Sequence, residues 1–327
     1  MLARVIAPLP KVYRTGIVIV LIALGMGSLF AVAYSLMLAR PAPRHIPLAV
    51  VGSPSVTAPV LRALQADTRV GFNPVGYESL RTAESAVANQ RVLAVLDGAG
   101  HSPTLYVCSA CGASVSNVIV RVVRDIAPSM PVRIVDLRPL PVSDPQGLTT
   151  FYLTISATVM GFVTMFQVRA NIHGIRLREW LMLLSGLALG TGGVLAVIAD
   201  PIIGALHGPF AEIWILLSLQ CAIAALFGSL MLVLVGRWAM VPTWLLFVVL
   251  GNTSSGGAVA ASLLPTPYAV IGRFLPTGAT VSALHTAIYF EGHQHWQPFA
   301  VIAAWLAGVS VVLIAATRLR KRGPGIE

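Results

Sequence analysis

Apolar residues fall in six long blocks, with a stretch of different rhythm between the first and the second. Residues 15–38 form a nearly uncharged run, long enough as a helix to cross a hydrocarbon core of about 30 Å. Residues 148–167, 180–199, 212–235 and 297–317 repeat the pattern. The remaining block starts as a membrane helix at residue 240 and runs into Gly251-Asn252-Thr253-Ser254-Ser255-Gly256-Gly257. From Ala239 to Gly251 that helix would measure about 20 Å at 1.5 Å per residue, too short to cross. Irregular backbone at such depth has to be buried in protein or line a wet cavity, because lipid offers no hydrogen bonds. The half-polar segment that follows, 258–290, is punctuated by Pro265, Pro267 and Pro276. Two readings stand: a spanning helix, a break and a re-entrant helical pair returning to the outer face, or a helix–loop–helix with a glycine-rich turn.

Residues 41–147 alternate short apolar runs with amphipathic stretches. Strands are predicted at 46–51, 70–77, 91–96, 104–108 and 131–137, and helices at 57–66, 78–89 and 114–126. The order β-α-β-α-β-β-α-β suffices for one small α/β core. The expected fold is a membrane all-α bundle of six transmembrane helices, the fifth broken or re-entrant, with an inserted extracytoplasmic α/β domain. Its parts are the N-terminal segment and first helix (1–40), the α/β domain (41–147), a five-helix membrane domain (148–317) and a basic tail (318–327). Gly186, Gly190, Gly192 and Gly193 give the third helix a small-residue face for close helix contact.

Composition agrees: 56% of residues are apolar and 10% charged, and mean hydropathy is +0.82, far from the soluble range. A net charge of +10 raises nucleic acid as a partner until it is mapped. On the six-span topology the inner face holds eleven of the 22 Lys and Arg but only two of the 12 acids. Nearly all the excess is then cytoplasmic, as the positive-inside rule expects. The run Arg318-Leu319-Arg320-Lys321-Arg322 reads as an anchor at anionic headgroups rather than a nucleic-acid patch. Residues 39–43 are a poor cleavage context, so the first helix is expected to be retained, with both termini inside.

The layout of one α/β domain after the first helix, then five spans with a broken fifth, resembles ABC-2 type transporter permeases, nearest the phage infection protein (YhgE/Pip-like) branch. The stretches that carry the likeness are Val135-Asp136-Leu137-Arg138-Pro139-Leu140-Pro141-Val142-Ser143-Asp144-Pro145-Gln146-Gly147-Leu148, the 251–257 run, Leu263-Leu264-Pro265 and Phe274-Leu275-Pro276-Thr277-Gly278. Thr253 stands where members of that family carry proline. The resemblance implies the membrane subunit of an export system for an amphiphilic or envelope substrate in a bacterial plasma membrane. It implies a homodimer and a separate ATPase subunit. Its alternative is a surface receptor or scaffold without transport.

The chain has no G-x-x-x-x-G-K-[ST] loop, so an ATPase would have to be another polypeptide; no cofactor is expected and the chain is not expected to be an enzyme. By analogy with permease coupling helices, the inner loop with Arg169, His173, Arg176 and Arg178 is the candidate docking element; otherwise it is a loop that fixes topology. Asn252, Thr253, Ser254, Ser255 and Gly256 are the candidate substrate path or gate, unless they only bond neighbouring helices. Cys108 and Cys111, between a strand and a helix, fit a disulfide, two free thiols or a redox motif; Cys221 reads as packing. Glu291, His293 and His295 could bind a metal, although no second cluster supports it.

Overall fold

The computed structural model describes residues 10–39, 46–66, 71–126, 131–172, 174–204 and 208–322. Among the described residues, five helices are long and apolar enough to cross a membrane. They are α1 (Lys11–Ala39), α5 (Thr149–Asn171), α6 (Leu177–Val197, extended by a π turn over Ile198–Ile202), α7 (Phe210–Val235) and α11 (Trp296–Arg322). A shorter apolar helix, α8 (Met240–Ser254), joins them.

Residues 46–136 form a five-stranded sheet: β1 (Ile46–Gly52), β2 (Phe72–Gly76), β3 (Ala94–Gly98), β4 (Thr104–Val107) and β5 (Arg133–Asp136). The strand order is β2-β1-β3-β4-β5. β4 runs antiparallel to β3, and the other neighbours are parallel. Period-two alternation sets the two faces. Ile46 and Leu48 of β1 point to α2 (Pro54–Ala66) and α4 (Ala113–Ile126), while Ala49 and Val51 point to α3 (Leu80–Ala88). The predicted order of strands and helices is the observed one.

In the bundle α7 is central, packed against α5, α6, α11 and α10 (Pro276–Tyr289). Glycines permit the closest crossings. A Cβ at Gly161 of α5 would meet the Cys221 carbonyl of α7, and one at Gly192 of α6 would meet Ser218 and Trp214. Cys221 is fully buried. The glycine face predicted on the third helix is divided: Gly192 and Gly193 touch α7, whereas Gly186 and Gly190 have nothing within 4 Å.

Four boundaries depart from expectation. The fifth helix continues three residues past Gly251, through Asn252, Thr253 and Ser254, with the Thr253 and Ser254 hydroxyls bonding back onto the preceding turn. The connection between α5 and α6 is only residues 172–176, so Arg169 and Arg178 lie on helices; His173 lies outside the described residues. Asp200 and Pro201, expected in a loop, sit in the π turn that ends α6. Arg318, Arg320 and Arg322, expected in a separate tail, continue α11; residues 323–327 lie outside the description.

The linker into α5 is held by one carboxylate. Asp144, 6% exposed, accepts from the backbone N–H groups of Leu148 (3.0 Å) and Thr149 (2.9 Å) and from the Tyr289 hydroxyl (3.3 Å). Asp144→Ala orphans two helix-terminal donors and should lower stability by about 1–2 kcal/mol, with Asp144→Asn recovering part of it. Thermal melting of the full chain in detergent reads both.

Candidate functional site

The fifth helix decides where the site lies. α8, a π-helix over Leu245–Gly251, is at most about 22 Å long at 1.5 Å per residue, and it stops at buried residues: Asn252, Thr253 and Ser254 are under 8% exposed. The next residues rise into the α/β domain, where Leu263, 1% exposed, joins the core between the sheet, α2 and α4. The chain then turns back through α9 (Thr266–Gly272) to the end of α8. A Cβ at Gly272 would strike the carbonyl of Ser254, and one at Gly278 the carbonyl of Gly272. From there α10 climbs again, delivering Phe290, fully buried, to the core on the opposite face of the sheet. The sheet is thus gripped on both faces by residues flanking the α9–α10 pair.

Hydrogen bonds close the seam. Gln90 Nε2 donates to Thr286 Oγ1 (3.0 Å), and Arg138 Nη1 donates to the Tyr289 carbonyl (3.0 Å) while its guanidinium lies 5.2 Å from the centre of the Phe290 ring. Between the two parts lies a cavity of about 230 Å³. Its walls carry Gln90, the turn from Ser109 to Ser114, Gln146, Thr150, Ser255, Gly256, Ser282 and His285. Amides, hydroxyls and one imidazole supply the polarity; no carboxylate, lysine or arginine lines it. Such a surface suits neutral hydrogen-bonding groups rather than ions.

The turn is closed by a disulfide between Cys108 and Cys111. Cys108 is fully buried beneath the sheet and only Cys111 lines the cavity. Ser116 Oγ donates to the Cys108 carbonyl (2.7 Å), and the Ala110 N–H donates to the Arg138 carbonyl (3.0 Å). The turn thereby shapes one wall of the cavity. Thiol exchange would require access to a sulfur, which burial of Cys108 restricts to Cys111.

Beneath the cavity runs a column of buried hydroxyls. Thr150, Thr154 and Thr158 follow one another every fourth residue on α5. Thr158 Oγ1 accepts from Gln220 Nε2 (2.7 Å), and Gln220 Oε1 accepts from Thr280 Oγ1 (3.0 Å), joining α5, α7 and α10. Below them are two buried atoms without partners, Asn252 Oδ1 and Thr277 Oγ1.

Of the predicted path residues, Ser255 and Gly256 line the cavity and Asn252, Thr253 and Ser254 do not. The Thr253 and Ser254 hydroxyls donate to the Val249 (2.5 Å) and Leu250 (2.6 Å) carbonyls, and Ser255 Oγ to the Asn252 carbonyl (2.9 Å). Among the described residues, Asn252 Oδ1 is the buried side-chain atom of this run that has no hydrogen-bond partner. Arg169 and Arg178 line separate grooves, and the Arg176 N–H donates to Glu179 (3.0 Å). His293 contacts the Glu291 carbonyl (2.9 Å), and Gln294 Nε2 donates to Glu212 Oε1 (2.6 Å). Among the described residues no three His, Cys, Asp or Glu side chains converge as a metal site. Sequence reasoning missed Gln220, Thr277, Thr280, Ser282 and His285; the four-residue spacing of the α5 threonines was the available signal.

Comparison with protein-family models, with curated proteins and with solved structures finds no match to this chain.

Proposed function

We propose that the chain is an ABC-2-type permease-like membrane subunit that passes an amphiphilic or envelope substrate outward, driven by a separate ATPase. One observation carries the reading: the fifth helix ends inside the bundle at buried polar residues, directly below a polar cavity roofed by the α/β domain. A structural bundle has no need of irregular polar backbone there. A pathway does, because it must be dry against lipid and hydrogen-bonding towards its cargo. In this reading α8 is the interrupted fifth span of six, the α/β domain is extracytoplasmic, and the far ends of α5 and α6 face the cytoplasm of a bacterial cell. The uncharged cavity wall favours a neutral polar head group carried on an apolar tail. Two copies would pair side by side, with the exposed glycines Gly186 and Gly190 offering a close-packing face.

The test is recovery of the tagged full chain from its native membrane in mild detergent, followed by an ATPase assay. The expected result is a stoichiometric nucleotide-binding partner whose ATP hydrolysis rises in the complex. A clean preparation without such a partner would reject the permease reading in favour of a receptor or scaffold.

A further inference from the structure

At the end of the bundle away from the sheet, a groove of about 310 Å³ runs between α5, α7 and the start of α8. Phe166, Leu232 and Met240 form an apolar wall, and Arg169 and Arg237 are its two cations. Arg169 Nε is buried and has no hydrogen-bond partner among the described residues. The Arg169 side chain is half-buried, and a charged N–H shielded from water calls for an acceptor, for which planar bidentate oxyanions are best suited. Glu179, the acid of this end among the described residues, holds the Arg176 N–H instead (3.0 Å). Arg237 lies 5.3 Å from the Trp238 ring centre, an aromatic of the kind that marks the headgroup level. Arg320 of α11 comes to the same end, its Nη1 3.4 Å from the Val233 carbonyl.

We infer that this groove is a binding site for an anionic glycerophospholipid. Arg169 and Arg237 take the phosphate and an acyl chain lies along Phe166, Leu232 and Met240. The apolar wall argues for a lipid over free phosphate. Two guanidiniums with no facing carboxylate argue against a zwitterionic headgroup, whose ammonium they would repel. The site is independent of whether an ATPase docks nearby, and it removes Arg169 from the surface open to such a partner.

The full chain, reconstituted in nanodiscs of phosphatidylcholine, is titrated with phosphatidylglycerol of the same acyl chains, and bound lipid is read by native mass spectrometry. Phosphatidylglycerol should outcompete phosphatidylcholine by about tenfold or more. Arg169→Gln and Arg237→Gln should each weaken it about fivefold. Arg318→Gln, on the exposed end of α11, should change it less than about twofold. Equal retention of the two lipids, or an Arg318→Gln effect as large as the others, would overturn the site. Inorganic phosphate displacing the lipid at equal concentration would assign the groove to phosphate and overturn the lipid. If Arg169→Gln misfolds, Arg237→Gln, on an exposed side chain, carries the decision.

Discussion

Replacing Gly272 with alanine is expected to abolish the folded, monodisperse form of the chain, whereas Gly308→Ala on α11 leaves it unchanged. A methyl at Gly272 would overlap the carbonyl of Ser254, where α8 ends. That neighbour is backbone, so no side chain can rotate away. Overpacking against movable neighbours costs about 1–3 kcal/mol, and backbone against backbone lies at or above the top of that range. Nor can α9 retreat, since Gly278 rests against the carbonyl of Gly272 from the other side. At Gly308 nothing lies within 4 Å, and alanine is the better helix former. Fluorescence-detected size exclusion and thermal melting in one detergent compare the two. A Gly272→Ala protein that melts like the parent would mean α9 is not seated on the end of α8.

Gln220→Ala should be the most destabilising single change in the hydroxyl column, and Gln220→Leu should recover more than half of the loss. Gln220 is fully buried and bridges Thr158 to Thr280. Hydrogen bonds between membrane helices average only about 0.6 kcal/mol, so two of them account for little more than 1 kcal/mol. The emptied volume weighs more, since truncations to alanine in close-packed interiors cost about 2–5 kcal/mol. Leucine refills most of that volume and leaves Thr158 its own bond to the Thr154 carbonyl (2.7 Å). Thermal melting of both variants decides it: equal losses would mean that the polar bridge outweighs packing here.

The order of elements was legible in the chain because local periodicity dictates it. The continuous apolar run over 46–51 predicts a buried strand, β1, and the helical spacing of Val115, Ile119 and Val122 predicts α4; each lies where its apolar side demands. The long helices were legible by length and hydropathy. What could not be read was what lies opposite what. Leu263 belongs to the core of a sheet whose strands lie between Ile46 and Asp136 in the chain, and neither its spacing nor its neighbours announces that. The run 252–255 left open whether the helix continues or gives way to irregular backbone; it continues to Ser254, where the Thr253 and Ser254 hydroxyls bond the carbonyl one turn back. Gln220 sat in an apolar block as one amide, and its partners lie on two other helices. The candidate site was therefore half visible: the break could be seen, but the cavity wall opposite it could not.

The grip of Leu263 and Phe290 on opposite faces of one sheet has a mechanical consequence. Both grips flank the same hairpin of helices, and its bend is wedged against the end of α8 at Gly272 and Gly278. A tilt of the sheet would lift one anchor while lowering the other, twisting the hairpin about that wedge. Close-packed interiors pass such strain on with little give. A force applied to the α/β domain would therefore be felt at the seat of Gly272 on the Ser254 carbonyl.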